Sequence, residues 1–366
     1  MESKQPLPHS KKPKSRRGFT LIEVMAAATI MVIMIGAVLY GVGEVLKSWN
    51  NSTGKIQGYF EADSLADFIQ QDIQSAVIKR DGRAWFQVDY PQDVGMLTGT
   101  SVGGEPVRPP QIMFFSPTYI RPRFDSGQMM NRSDDRQSIP GSVCAVKYQM
   151  SYKSPFRPGG ANEGSNERQL NAFYGLYRGV IDPKSTFEEA LGDMQGDFDD
   201  NEYALQRFWN GSCTVLNDRG GYDRGADLKS WILSPSNFIA ANIVDFQVTF
   251  AVMYRREGEQ VAEKESPYHI AYIEPGTPFT VADRIYVDGR VYERGEGGGK
   301  VAVAPEEIRN GFLAFAEISM TFVSDLGAME IRSLSGEGKL ARFQTLRQQY
   351  GTTTTRKVQF LVEPLN

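Results

Sequence analysis

Residues 16–35 read RRGFTLIEVMAAATIMVIMI, and the reading of this stretch decides the rest. A basic run ends at Gly18. From Phe19 the chain is apolar except for one carboxylate, Glu23, and it then carries no charge for the twenty residues from Val24 to Gly43. Twenty helical residues span roughly 30 Å, the thickness of a bilayer's hydrocarbon core. Glu23 is the anomaly. A carboxylate near the end of such a helix loses hydration, so it calls for a partner.

The flanking charge orients the segment. Residues 1–18 carry Lys4, Lys11, Lys12, Lys14, Arg16 and Arg17 against Glu2, whereas the remainder of the 366-residue chain has a net charge of −9. A basic flank is expected to stay cytoplasmic, which places the body on the far side of the membrane. An acidic body of this kind lacks the basic footprint of a general nucleic-acid binder, so no nucleic-acid partner is expected. With 41% apolar and 23% charged residues, the body can bury a core.

The motif R-G-F-T-L-I-E-V at residues 17–24 resembles the cleavage and methylation signal of type IV pilins and of the pseudopilins of type II secretion. The resemblance implies a prepilin peptidase and methyltransferase that cuts after Gly18 and methylates the new amino terminus at Phe19. It also implies that Glu23, fifth in the mature chain, pairs with the terminal amine of a neighbouring subunit during fibre assembly. The physics agrees: an α-amino group with a pKa of about 7.7–8 is largely cationic at neutral pH and can neutralise a carboxylate that lipid would leave unpaired. Three plainer readings fit less of the stretch. A secretory signal peptide would stop its apolar run near Ala26–Ala28. A twin-arginine signal fits neither Glu23 nor the long apolar run. A plain signal anchor leaves Gly18, Phe19 and Glu23 unexplained.

The implied partners are the peptidase, other pilins or pseudopilins, an inner-membrane assembly platform and lipid. The implied location is the bacterial inner membrane, with the amino terminus cytoplasmic, and a fibre after assembly. No cofactor is expected. The alternative class is a membrane-anchored extracytoplasmic enzyme or ligand-binding module. The sequence offers no catalytic constellation for it: with His9 in the leader, His269 is the one histidine left, and it is read as structural.

The domain plan divides the chain into a leader at 1–18, a membrane half of the helix at 19–43, an amphipathic half at 44–81 and a β-rich body at 82–366. Beyond Gly43, apolar residues recur at helical spacing from Leu46 to Val77, predicting one long helix that ends near Asp81 and Gly82. From Ala84 the period becomes two. Strands are predicted at 84–90, 111–116, 142–152, 169–179, 243–254, 312–323 and 354–364, a hairpin turning at Asp288-Gly289 within 284–293, and helices at 185–194 and 339–351. Sequential strands without regular βα alternation predict an α+β fold: a long amino-terminal helix packed on an antiparallel sheet with large loop insertions. The order of these segments is similar to the larger minor pseudopilins of the J type and to W-type minor pilins. Loops at 95–110, 121–140 and 182–230 exceed that pattern.

Two further features carry weaker chemistry. Cys144 and Cys213 are a candidate disulfide in an oxidising compartment, worth roughly 4 kcal/mol on the chain-entropy model. Cys144 also falls on the apolar face of a strand, as a buried thiol would. Asp197, Asp199 and Asn201 have the alternate spacing of a calcium loop, but Glu202 stands where glycine is needed and Phe208 where the closing glutamate belongs, so a solvated acidic loop is the better reading.

Overall fold

A computed structural model describes residues 20–91, 101–102, 105–106, 108–117, 143–153, 173–191, 204–216, 222–256, 267–281, 284–295, 297–334 and 338–360. Contacts divide the chain into two compact units, Met1–Ser52 and Thr53–Asn366.

Helix α1 runs from Leu21 to Gln74. Its carboxyl end falls several residues short of the expected Asp81-Gly82. Ser75 turns the chain: its hydroxyl donates to the Asp72 carbonyl and shares a hydrogen bond with the Ser116 hydroxyl, and the Val77 N–H then donates to the Phe115 carbonyl. The apolar periodicity continues past Gln74 because the chain still packs there, but as an extended segment laid beside a strand.

The strands that follow are β1 (Phe86–Asp89), the short pair β2 (Ser101–Val102) and β3 (Glu105–Pro106), β4 (Gln111–Ser116), β5 (Cys144–Lys153), β6 (Phe173–Ile181), β7 (Ser212–Leu216), β8 (Tyr222–Asp227), β9 (Phe238–Ala241), β10 (Ile243–Tyr254), β11 (His269–Ile273), β12 (Phe279–Val281), β13 (Ile285–Val287), β14 (Val291–Arg294), β15 (Lys300–Val303), β16 (Phe312–Val323) and β17 (Gly351–Gln359). The body's helices are α2 (Ala204–Asn210), α3 (Leu228–Trp231), α4 (Pro305–Ile308), α5 (Asp325–Arg332) and α6 (Lys339–Tyr350). The expected α+β architecture is observed: a long apolar amino-terminal helix and antiparallel sheets. One sheet has seven strands in the order β13-β12-β1-β4-β5-β6-β9, the other six in the order β15-β14-β11-β10-β16-β17.

The inward faces of both sheets and the second half of α1 share one core. Ala62, Leu65, Ala66, Ile69 and Ile73 of the helix meet Phe86, Phe114, Tyr148, Phe246, Phe250 and Phe322 of the strands. These helical positions recur every three or four residues, so they form the apolar stripe that a helix laid on a sheet requires.

Local differences from the sequence reading have identifiable causes. Asp288-Gly289 does not turn a hairpin: β13 pairs with β12 in one sheet and β14 with β11 and β15 in the other, so this dipeptide carries the chain between sheets. The expected helix at 185–194 is a single widened turn, Thr186–Ala190, preceded by the short turn Pro183–Ser185, and Asp182 rather than Ser185 or Thr186 accepts at its start, from the Ser185 N–H. Within the expected loop at 182–230, strands β7 and β8 pair with each other.

Gly54 and Gly58 explain themselves in packing. A Cβ on Gly54 would stand 2.9 Å from the Ser324 Cβ, whereas one on Gly58 would meet the Phe322 Cβ at 3.8 Å, an ordinary contact. Gly54 therefore sets how closely the helix approaches the end of β16. Arg356 of β17 adds a polar fastening by pairing with Asp63 and with Asp67 of the helix. Gly54→Val is expected to destabilise the chain by about 1–3 kcal/mol through overpacking. Gly58→Ala should be neutral or stabilising by up to about 1 kcal/mol through helix propensity. Urea denaturation of both variants checks the contrast.

Candidate functional site

The amino-terminal end of α1 shows what the lone carboxylate does in a single chain. The Thr20 N–H donates to Glu23 Oε2 at 2.9 Å, the Thr20 hydroxyl donates to the same oxygen at 3.0 Å, and the Glu23 N–H donates back to the hydroxyl at 3.4 Å. This is a reciprocal capping box, in which the first and fourth residues satisfy each other's unpaired donors. Among the described residues Oε1 takes neither of these bonds, which leaves it accessible to an approaching cation. Gly18 and Phe19 lie outside the described residues.

From Leu21 to Val45 the apolar side chains of the helix are exposed, Leu21, Val32 and Leu39 among them. A stretch of α1 is long and apolar enough to cross a membrane. Its one hydroxyl between Leu21 and Gly36, that of Thr29, donates to the Met25 carbonyl at 2.9 Å, so it presents no unsatisfied donor to lipid.

The other end of α1 is fastened by a buried polar triad. Asp72 Oδ2 accepts from the Tyr148 hydroxyl at 2.6 Å and from Arg178 Nε at 2.7 Å, and the Arg178 guanidinium lies 4.9 Å from the centre of the Phe68 ring. Tyr148 is on β5 and Arg178 on β6, so one carboxylate ties the helix to two strands. Burial, reinforced by the Asp72 carboxylate, holds the Tyr148 hydroxyl well above its ordinary range and keeps it a donor. The network was invisible in the sequence because its members are 76 and 106 residues from Asp72.

The other sequence-derived candidates separate. Cys144 and Cys213 are both buried thiols, and no bridge joins them. Cys213 belongs to an apolar cluster with Trp209 and Val215, and burial pushes the Cys144 thiol up to about 12 and the Cys213 thiol further still. Asp197, Asp199 and Asn201 lie outside the described residues. His269 Nδ1 stands 3.6 Å from Glu293 Oε1, which also accepts from the Tyr254 hydroxyl at 2.6 Å, while Arg256 donates to Oε2 at 2.9 Å. That carboxylate is shared by three side chains at the end of the core, which is a structural arrangement.

Lys147 departs most from expectation. Alternation along 142–152 assigns it to a polar, solvent-facing side of its strand, yet it is only 2% exposed, because α2, α3, β7 and β8 cover that side with a second core. Burial lowers its ammonium to about 8, against the pull of the Asp89 carboxylate.

With this geometry established, the class of chain is one whose capped apolar helix carries a buried-core β body. The prokaryotic N-terminal methylation motif, the prepilin signal of type IV pilin-like chains, matches residues 13–39, which include Gly18, Phe19, Thr20 and Glu23. No curated protein and no solved structure matches the chain. The motif and the apolar helix fit a membrane-anchored protein.

Two measurements follow from these sites. Asp72→Ala leaves Arg178 buried without its carboxylate and the Tyr148 hydroxyl without its acceptor, and is expected to cost about 3–5 kcal/mol in urea denaturation. For Lys147, the unfolded chain holds the proton more tightly than the folded one, so this residue's penalty is full below about pH 8. It is relieved as pH rises from there towards the unfolded value of 10.5. Stability relative to Lys147→Met should therefore rise by up to about 3 kcal/mol across that window and stay flat below it.

Proposed function

We propose that this chain is a minor pilin or pseudopilin, a structural subunit rather than an enzyme, cut after Gly18 and methylated at Phe19. It then enters a type IV pilus-like or type II secretion fibre. The observation that carries this reading is Glu23, a lone carboxylate at the head of an apolar helix and inside the methylation motif at residues 13–39. The Thr20 cap supports an assembly role because it holds the carboxylate in place while leaving an oxygen for a second donor.

The mechanism is a handover between two environments. In the inner membrane, burial of the apolar helix in lipid holds the subunit, with the body on the extracytoplasmic side. On extraction, neighbouring helices replace lipid, and the terminal amine of an adjacent subunit takes up Glu23 and fixes the register. A position at the tip or in initiation of the fibre follows from size: a body of two sheets with a covering insertion would crowd a tightly wound repeat.

Mass spectrometry of the mature amino terminus tests the reading. An N-methylated phenylalanine at Phe19 is expected, and an intact leader or cleavage near Ala28 would overturn it. Glu23→Ala is expected to be cut and methylated normally yet to enter fibres poorly, measured by shearing and immunoblotting. Thr20→Val should show a smaller assembly defect of the same kind.

A further inference from the structure

Strand β17 ends one side of the six-stranded sheet and pairs only with β16. Its register runs unbroken from Phe315 opposite Gln359 to Val323 opposite Gly351. Just beyond its two ends, the Phe360 N–H donates to the Ala314 carbonyl at 3.2 Å and the Ser324 N–H donates to the Tyr350 carbonyl at 3.2 Å. Both are directly opposed pairs in that register, and along an antiparallel ladder opposed residues that exchange hydrogen bonds alternate with ones that do not. The even-numbered residues of β17 therefore bond β16. The backbone N–H and C=O groups of Thr353, Thr355, Lys357 and Gln359 point the other way, out past the sheet, and among the described residues no hydrogen bond engages them.

This edge is long and unguarded. The other strands that end the two large sheets, β9, β13 and β15, have four, three and four residues, against nine in β17. Proteins commonly blunt such an edge with a proline, a bulge or an outward charge. β17 has neither proline nor bulge. Its two cations are turned elsewhere: Arg356 pairs with Asp63 and Asp67 of α1, and Lys357 lies back over its own sheet, with Nζ 3.5 Å from the centre of the Phe315 ring. Glu317, opposite Lys357 on β16, pairs with Arg294 at 3.4 Å instead. Among the described residues no carboxylate pairs with Lys357.

We propose that β17 takes up an extended strand of a different polypeptide, joined through backbone hydrogen bonds and carrying an Asp or Glu beside Lys357. The residues of the edge fix the chemistry of its occupant. Four outward N–H and C=O groups call for a backbone in β conformation, and the unpaired ammonium calls for a carboxylate. The stretch 351–359, GTTTTRKVQ, contains no acid, so pairing with the β17 of a second copy leaves Lys357 unanswered. Asp63, Asp67 and Arg356 occupy the inner side, so the residues flanking the acid, which face that way, must be small. The surface belongs to the body rather than to the Glu23 end of α1, so the proposal stands apart from fibre assembly.

Selection of a phage-displayed random octapeptide library on the full mature chain in detergent micelles, at low ionic strength and pH 7, tests the proposal. Enriched peptides are expected to carry Asp or Glu at one fixed position with small residues on either side. A synthetic copy is expected to bind about tenfold more weakly to Thr355→Pro, which removes one outward N–H without removing a bond to β16. Lys357→Glu should reverse the selected charge to Lys or Arg. No enrichment over empty micelles would overturn the proposal, as would an affinity unchanged in Thr355→Pro or an acid still selected by Lys357→Glu. Self-association of the wild-type chain that Thr355→Pro abolishes, seen by sedimentation, would also overturn it by assigning the edge to a second copy. If Thr355→Pro does not fold, the charge reversal in Lys357→Glu decides.

Discussion

A single helix that must satisfy two solvents is the constraint on which the rest of this chain depends. Between Val24 and Gly43 no residue is charged, and the apolar side chains there stay exposed. Between Ala62 and Ile73 the helix presents a narrow apolar stripe to two sheets. Hydrocarbon and a β core make different demands: the first needs apolar residues all round, the second only every third or fourth. The change in pattern within one element is what makes the chain readable.

Where the helix meets the body, small residues and buried charge replace hydrophobic bulk. Gly54 admits Ser324 to a distance no larger residue tolerates. Asp63 and Asp67 reach Arg356 at the exposed side, and Asp72 gathers Tyr148 and Arg178 inside. A buried pair is not intrinsically a strong source of stability, since desolvation offsets attraction, but breaking it is expensive. Asp72 therefore acts mainly to specify one seating of the helix on β5 and β6. The opposite end has a lighter device, the Thr20 and Glu23 capping box, which local sequence alone can form.

What was legible in the sequence was what depends on near neighbours. The motif from Arg17 to Val24, the long helix, and strands β5, β10 and β16 follow from composition and period, and the boundaries of these three strands agree closely. Asp288-Gly289 misled because local turn preference is satisfied equally by a hairpin and by a crossing between sheets, and pairing is decided by β11 and β12 instead. Alternation correctly separated the two faces of β5, but it could not show that α2 and α3, 57 or more residues downstream of Lys147, would return to cover the polar one. The same distance hid the triad at Asp72, because an aspartate on a helix gives no sign of being buried. Cys144 was read both as half of a bridge and as a buried thiol, and the second describes its surroundings.

The central claim is that α1 serves lipid along its first half and protein along its second. Single cysteines introduced at Val32, Val38, Ile56 and Phe60 can be treated with a membrane-impermeant maleimide in intact spheroplasts and again after detergent solubilisation, against a Cys144→Ser, Cys213→Ser background. The account predicts that Val32→Cys and Val38→Cys react only after solubilisation, whereas Ile56→Cys and Phe60→Cys react in intact membranes. Ready labelling at Val32→Cys in intact spheroplasts, or protection at Phe60→Cys equal to that at Val38→Cys, would contradict it.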